Sequence, residues 1–348
     1  MREGAKTRAT PPDVENIRSR AEAAINQRFP CARLASLAQF ASGSSSLTYW
    51  AEVTNAAVER VVIKAAPAGL PPVRNRDVLR QARVLAAVAA VPEVRVPEIY
   101  AQDPGAPVEV PPLFVMAHID GTSYEPRSTS PENAPPDTAV RARARTAVRM
   151  LAAMHAACLE DLNGISGEPV VSLVDEVEKW RNAAASRDLA PGIRQLEGVA
   201  YQRLSRRIPD QQGPSVLHGD WRLGNMLCRD AEVLGVIDWE IWSVGDPRVD
   251  LAWMQLMADP KRPRVPYPAA VTLEPDELAA EYAAAAGHDV PDLAWFGALV
   301  RYKQAAATML LVKNAARRGD TDERWRLIDE AVGGLLEAAI EYAGRSSW

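Results

Sequence analysis

Two short polar motifs, separated by a predicted strand, constrain the fold of this chain more than any other feature. The first is HGDWRLGN at residues 218–225, and the second is VIDWE at residues 236–240. The apolar segment Ser215–Leu217 leads into the first motif, and Val233–Ile237 has the composition of a short buried strand that ends at Asp238. The sequence therefore predicts a strand, a polar loop, a tight turn between two short strands, and a carboxylate at the last strand end.

Three side chains of these motifs have the chemistry of phosphoryl transfer. That reaction needs a carboxylate that orients the attacking hydroxyl and accepts its proton, and oxygen ligands that hold magnesium over the nucleotide phosphates. Asp220 leads its loop and Asn225 closes it, so both can face one cavity, while Asp238 arrives from the adjoining strand end. We therefore expect Asp220 to be the catalytic base, and Asn225 and Asp238 to bind the metal.

The two motifs resemble those of the aminoglycoside phosphotransferase and choline kinase superfamily, the phosphotransferase enzyme family. The next segment, GDPRVDLA at residues 245–252, is most similar to the small-molecule kinase domains related to those fused to acyl-CoA dehydrogenases. The resemblance implies an α+β, two-lobed protein-kinase-like fold, with a five-stranded antiparallel sheet in a small N-lobe and a mainly helical C-lobe. A protein kinase fits less well, because the interval from Asp238 to Asp250 is too short for an activation segment and contains no APE motif.

Length and charge set the outer limits of the interpretation. A chain of 348 residues has room for two lobes, and its formal net charge of −5 argues against a nucleic-acid partner. No apolar run approaches the length of a membrane span, and the polar start lacks the apolar core of a signal peptide. We expect a cytoplasmic protein with a disordered leader at residues 1–12, a nucleotide-binding N-lobe at 13–120, and a C-lobe at 121–348 that carries the catalytic loop and the acceptor pocket.

Two features of the N-lobe are candidates for contacts with nucleotide phosphates. Small residues at 41–46, among them Ser44 and Ser45, separate two predicted strands, and such a turn lets backbone N–H groups approach phosphate oxygens. Alone, the segment is equally well explained as a flexible turn. Lys64 ends the β-branched run Val61–Ile63, where a lysine is by itself usually a solvated edge charge. The resemblance implies that the turn lies over the phosphates and that Lys64 contacts them.

Residue 81 departs from the family pattern. Relatives commonly carry Arg-Glu where this chain has Arg80-Gln81, and in the kinase fold that glutamate pairs with the strand lysine. Gln81 cannot form the ion pair, although its amide oxygen can accept a hydrogen bond from Lys64. Asp77, one turn earlier, is a possible substitute. The departure leaves open a weak activity or an altered nucleotide preference.

The strand Leu113–Ala117 and the residues after it resemble the hinge of the family. The resemblance implies that Met116 lies against the nucleotide base and that backbone groups of Ala117 to Ile119 bond its edge. Met116 is equally a core residue, and both roles are compatible. The loop Gly121–Asp137, rich in Ser, Thr and Pro, is either a lid beside the cleft or a passive linker.

Two further charged side chains near the catalytic loop have assigned roles. The resemblance implies a carboxylate that braces the loop by accepting its backbone N–H bonds; Asp250 is the candidate, and Asp246, at the start of a predicted helix, is the alternative. Arg222, two residues after Asp220, either neutralises the transferring phosphate or forms a structural salt bridge. His155 is expected to be a satisfied core histidine rather than a ligand.

The acceptor is not determined by the sequence. Four carboxylates between Glu274 and Glu281 could line a pocket for a polycationic aminoglycoside, but such a run is also typical of one solvated helix face. The arginines at 141–149 of the predicted helix Thr138–Leu159 also indicate a solvated face, since no aromatic residues interleave with them. A more apolar wall, suited to an acyl or macrolide-like substrate, could come from residues that are also core candidates: Trp253, Met254, Trp295, Phe296, Tyr302 and Met309.

The sequence thus predicts a phosphotransferase that uses Mg-ATP, or GTP, to phosphorylate a hydroxyl of a small molecule. The alternative is a non-catalytic nucleotide-binding protein of the pseudokinase type, and Gln81 is the one residue that favours it. The oligomeric state is not predicted.

Overall fold

The computed structural model describes residues 13–40, 46–126, 128–262 and 272–345. The chain forms two compact units. The first unit contains the described residues up to Thr122, together with Glu160–Gly167 and Leu234–Trp242. The second unit contains Ser123–Leu159, Glu168–Val233 and the described residues from Ser243 onward.

The first unit is built on an antiparallel sheet with the strand order β1-β3-β4-β6-β5, and β2 also pairs with β3. The predicted strand before residues 41–46 is interrupted and forms the two short strands β1 and β2, so this sheet has six strands rather than five. The strands are β1 (Arg33–Leu34), β2 (Ala38–Gln39), β3 (Leu47–Thr54), β4 (Arg60–Ala65), β5 (Ile99–Asp103) and β6 (Leu113–Ala117).

Strand β4 lies at the centre of this sheet and ends next to Lys64. It pairs with β3 on one side and β6 on the other, and its β-branched Val61 and Ile63 are fully buried. Helix α1 (Val14–Ile25) packs Ile17 and Ile25 into the same apolar cluster. Burial on both sides makes β4 a fixed support for the lysine.

Helix α2 spans Val78–Val88. Asp77 caps the helix by accepting a hydrogen bond from the Arg80 backbone N–H at 3.0 Å, and residues 74–76 form a separate 3₁₀ turn. Gln81 is buried on this helix, which packs against β5 and β6.

The second unit is mainly helical, and α8 is its central element. Trp295, Phe296 and Tyr302 of α8 are buried in one apolar cluster with residues of α4, α5, α6 and α9. The helices are α3 (Asp137–Ala156), α4 (Leu173–Ala185), α5 (Pro191–Arg206), α6 (Arg248–Ala258), α7 (Pro275–Ala286), α8 (Leu293–Arg318) and α9 (Glu323–Arg345). Gly287 and Gly319 end α7 and α8, each with a left-handed backbone conformation.

Four further short strands flank the two sequence motifs. Strand β7 (Ser215–Leu217) pairs with β10 (Ser243–Gly245), and β8 (Met226–Arg229) pairs with β9 (Glu232–Val236). The predicted order of strand, polar loop, tight turn and strand is therefore confirmed. Among the described helices, none is both long and apolar enough to cross a lipid bilayer.

The arginine row of α3 is partly solvated, as the sequence suggested, but its members also form ion pairs with carboxylates of α7. Arg141 pairs with Glu277 at 2.6 Å, and Arg145 and Arg149 both pair with Glu281 at 3.0 and 2.9 Å. These ion pairs join α3 to α7. These pairs were not predicted, because the partner carboxylates lie more than a hundred positions away in the chain.

Candidate active site

Asp250 braces the loop of the first motif, as predicted. Its two carboxylate oxygens accept the backbone N–H groups of His218 at 2.6 Å and Gly219 at 2.9 Å. Burial alone would raise the pKa of the Asp250 carboxyl, but the nearby His155 ring and the charge of Lys303 hold this pKa below its ordinary value. The brace is therefore an ionised carboxylate at neutral pH.

The Asp220 carboxylate is oriented by three side chains. Trp253 donates its indole N–H to Oδ1 at 2.7 Å, and Asn225 donates Nδ2 to Oδ2 at 2.8 Å. Arg222 Nε lies 3.1 and 3.0 Å from the two oxygens. Both oxygens are thus held in a fixed direction, which is the arrangement required of a base that must meet one particular hydroxyl.

Asn225 is buried and its side-chain orientation is defined by Asp220. Its Nδ2 also donates to the Asp220 backbone carbonyl at 2.9 Å. Because both bonds use the amide nitrogen, the Oδ1 atom is the one available to a cation. Oxygen is the donor type that magnesium prefers.

Arg222 forms a salt bridge to a residue that sequence reasoning missed, Glu125. The Arg222 Nη1 atom lies 3.4 Å from Glu125 Oε2, which also accepts the Gly224 backbone N–H at 3.1 Å. Burial raises the pKa of the Glu125 carboxyl despite the neighbouring guanidinium. A side chain at Gly224 would overlap Arg222, so this glycine permits the contact. No sequence signal marked Glu125, because it lies in an irregular loop almost a hundred residues away.

The first unit brings Lys64, Gln81 and Asp238 together. Lys64 Nζ donates to Gln81 Oε1 at 3.0 Å, which is the hydrogen bond that the sequence allowed. The same Nζ atom lies 3.6 Å from Asp238 Oδ1. Gln81 Nε2 donates to the Asn75 carbonyl at 3.2 Å, which fixes the amide orientation. Asp77 is not the substitute partner, because its carboxylate caps α2.

Asp238 has a backbone conformation that most residues avoid. Its φ of +67° is left-handed, a region in which Asp and Asn are the best tolerated side chains after glycine. Strained backbone of this kind is concentrated at functional sites. Its side chain is 43% exposed, so the carboxylate remains accessible to a ligand as well as to Lys64.

The predicted hinge residues lie at the end of β6. Met116 is buried on β6 opposite Val62, while Ala117 and Ile119 are half-buried. The Ala117 N–H donates to the Glu98 carbonyl at 2.8 Å, so this particular group is already used. Ser44 and Ser45 lie outside the described residues.

Beside Arg222 the second unit has a small cleft of about 20 Å³. Its wall is mostly apolar, with Met254, Met257 and Leu278, and Glu125 is its carboxylate. Of the acidic run, Glu277 and Glu281 are engaged by the arginines of α3, and Glu274 forms a capping box with Glu277. The predicted apolar wall is represented here by Met254, whereas Trp295, Phe296, Tyr302 and Met309 belong to the core.

Sequence comparison places these motifs within one family pattern. A family model described as the phosphotransferase enzyme family matches residues 36–299. Acyl-CoA dehydrogenase family member 11 of Gallus gallus is 30% identical over 229 residues, which are 63% of this chain and 27% of that protein. Family member 10 of Mus musculus is 27% identical over 224 residues, 62% of this chain and 20% of that protein. The chain thus spans only about a fifth to a quarter of the length of these relatives.

Solved structures share the fold. A putative aminoglycoside phosphotransferase from Ralstonia eutropha superposes with a TM-score of 0.75 at 21% identity, covering 97% of this chain and 99% of that one. A thermostable aminoglycoside phosphotransferase mutant, in a ternary complex with ADP and hygromycin B, gives a TM-score of 0.61 at 14% identity, covering 93% and 98%. At these identities the likeness concerns the kinase-like fold alone.

Proposed function

The chain belongs to the phosphotransferase enzyme family, and we propose that it transfers the terminal phosphoryl group of ATP, bound with magnesium, to a hydroxyl of a small molecule. GTP is the second donor to test. We assign nucleotide binding to residues 13–120 and assign the catalytic loop and the acceptor pocket to residues 121–348.

The observation that carries this proposal is the orientation of the Asp220 carboxylate. It begins a loop whose backbone is braced by Asp250, and both its oxygens are directed by Trp253, Asn225 and Arg222. A carboxylate fixed in this way can orient the acceptor hydroxyl and take its proton as the new O–P bond forms. Arg222, paired with Asp220 and Glu125, is proposed to keep the carboxylate in place and to contribute positive charge near the reacting phosphate.

The residues present fit a magnesium ion. Asn225 presents its amide oxygen, and Asp238 presents a partly exposed carboxylate, so each fits the role of an oxygen ligand on its own contacts. When bound, magnesium would neutralise the charge that develops on the phosphates. These two residues are the proposed metal ligands.

The proposed nucleotide contacts lie in the first unit. Lys64, held by Gln81, would contact the phosphates, and Ser44 and Ser45 would place backbone N–H groups against them. Met116 would lie against the base, whose edge would meet backbone groups of Ala117 and Ile119. Since the Ala117 N–H is used by Glu98, the carbonyl of Ala117 and the N–H of Ile119 are the groups to test.

We infer that the acceptor carries an apolar portion and is not a polycation. Two of the four carboxylates that could attract a polycation, Glu277 and Glu281, are paired with arginines of α3, and methionine and leucine side chains line the small cleft beside Arg222. An uncharged or amphipathic hydroxyl compound is therefore the first acceptor class to screen.

A transfer assay with radiolabelled ATP, magnesium and a library of hydroxylated compounds tests the proposal. Asp220→Ala is expected to lower kcat about a thousandfold with any accepted compound, because the general base is lost. Nucleotide binding should stay close to that of the wild type. The matched control is Asp188→Ala, whose side chain is fully exposed in the same unit. Wild-type turnover in Asp220→Ala would contradict the assignment of the base.

The non-catalytic alternative depended on Gln81. Because Gln81 accepts a hydrogen bond from Lys64 and Asp238 lies close by, the lysine is held without the usual glutamate. The departure from the family pattern therefore gives that alternative little support.

A further inference from the structure

Lys303 is a buried lysine on α8 that none of the sequence motifs includes. Only 5% of the residue is exposed, and its Nζ donates to the Gly219 backbone carbonyl at 2.7 Å. The ammonium group also lies 4.4 Å from the centre of the Trp253 ring and 5.7 Å from that of Trp180. One side chain therefore touches both the residue before Asp220 and the tryptophan that bonds its carboxylate.

Both contacts lie at points that fix the direction of the Asp220 carboxylate. Gly219 has a left-handed φ of +85°, so the plane of the peptide bond leading into Asp220 is set by a residue without its own conformational preference. A hydrogen bond from Lys303 to the carbonyl of that peptide bond supplies the missing restraint. The ammonium over the Trp253 ring fixes the indole whose N–H reaches Asp220 Oδ1 at 2.7 Å.

We propose that Lys303 is a positioning residue for the base Asp220: its buried ammonium holds the Gly219 carbonyl and the Trp253 ring, and thereby aims the carboxylate. This role rests on the proposed function for its effect on turnover. It does not depend on that function for its effect on the loop, which can be observed in the absence of any reaction.

A purely structural role explains the placement of Lys303 poorly. Burying an ammonium group is costly, and an apolar side chain of the same length would fill the space among Trp180 and Trp253 without that cost. The nearby carboxylate of Glu176 already has Lys179 and the Trp180 indole as partners, at 3.1 and 2.6 Å. The Lys303 ammonium therefore binds the backbone of the catalytic loop, and Glu176 does not need it as a partner.

Charged groups from three elements face Lys303. They are Glu176 and Lys179 of α4, Asp250 of α6, and Asp220 of the loop. Burial lowers the pKa of the Lys303 ammonium, and the carboxylates oppose this effect only in part. The amine therefore loses its proton at a lower pH than an exposed lysine does.

Replacement of Lys303 by residues of similar length tests the proposal. Lys303→Met removes the charge and is expected to lower kcat about 10- to 100-fold, while KM for the nucleotide stays within about twofold, as for other residues that orient a catalytic group. Lys303→Arg keeps the charge and should retain most of the activity. Lys313→Met is the matched control, because Lys313 is a half-buried lysine on the same helix that donates to the Ser186 carbonyl, away from the catalytic loop.

The pH dependence gives a second, sharper result. Wild-type turnover should fall on the alkaline side as the Lys303 ammonium is neutralised, and the fall should move to higher pH in Lys303→Arg, whose side chain stays protonated. Lys313→Met should keep the wild-type profile. An alkaline limb that is identical in wild type and Lys303→Arg would overturn the role assigned to the charge.

The loop itself is followed by the ¹H–¹⁵N resonance of the Trp253 indole, assigned by its loss in Trp253→Phe. We expect this resonance to shift, and its hydrogen exchange to quicken, in Lys303→Met but not in Lys313→Met. That result supports positioning even when no acceptor gives turnover, in which case the proposed reaction fails and the positioning role stands. An unchanged indole resonance in a folded Lys303→Met variant would overturn the inference. Should that variant not fold, the same comparison is made with Lys303→Gln, which also removes the charge but keeps a polar end group, and an unchanged indole resonance in it would overturn the inference in the same way.

Discussion

At the scale of single residues, the catalytic proposal depends on how firmly the Asp220 carboxylate is directed. Each of its oxygens is reached by more than one donor, and Arg222 approaches both of them. Arg222 is in turn held by Glu125, which also accepts the Gly224 N–H. Gly224 thus donates a hydrogen bond to Glu125, and its lack of a side chain leaves room for the salt bridge between Arg222 and Glu125.

Gly224→Ala is therefore expected to lower kcat about 10- to 100-fold with little loss of stability. The new methyl group would overlap Arg222 Nη1 and would lie 3.1 Å from Glu125 Oε2, which forces the guanidinium away from Asp220. Steady-state kinetics with an accepted compound measure the effect. Gly192→Ala is the control, because the added methyl group meets no atom within 4 Å. Equal kcat values for the two variants would show that the contacts of Arg222 with Asp220 and Glu125 do not affect turnover.

At the scale of secondary-structure elements, the sequence predicted what depends on local pattern. The β-branched run ending at Lys64 is strand β4, and the polar loop between β7 and β8 carries Asp220 and Asn225. The bracing role of Asp250 was expected from the resemblance, and the hydrogen bond from Lys64 to Gln81 was one of two possibilities that the side chains offered; the contacts confirm both. Local periodicity and short motifs are enough to predict these strands, loops and contacts, because the residues involved occupy fixed positions in the family motifs.

Other features could not be predicted, since they depend on contacts between distant segments. Trp253 lies in the core, which was one of the two expectations for it, and its indole also bonds the proposed base Asp220. No role was predicted for Lys303 or Glu125. The partners of the α3 arginines lie on α7. A single sequence does not show which distant segments of the chain will come into contact.

Helix α2 carries Gln81, which replaces the usual glutamate partner of Lys64. Removal of the Gln81 amide should therefore reduce the efficiency with which the nucleotide is used. Gln81→Met removes the hydrogen-bond acceptor of Lys64 at nearly constant volume, so we expect kcat/KM for ATP to fall about tenfold. Gln81→Glu should equal or exceed the wild type, because a carboxylate bonds the ammonium more strongly. Nucleotide titrations at fixed acceptor measure both. An unaffected Gln81→Met would mean that Asp238 alone holds the lysine.

At the scale of the whole molecule, the proposed chemistry is divided between the two units. Lys64 and Asp238 belong to the first, whereas Asp220, Asn225 and Lys303 belong to the second. Each group is held by contacts within its own unit, which allows nucleotide binding and orientation of the base to be tested separately. Binding of a magnesium nucleotide is the central claim, since a phosphotransferase requires it whatever the acceptor.

The most direct measurement is thermal unfolding with ATP, ADP or GTP, in magnesium and in EDTA. At a nucleotide concentration about a hundred times Kd, binding should stabilise the folded protein by about 2.7 kcal/mol and raise Tm. Asp238→Ala should lose the part of this shift that needs magnesium, whereas the exposed control Glu93→Ala should keep it. A shift that is the same in EDTA and in Asp238→Ala, or no shift with any nucleotide, would contradict the proposed function.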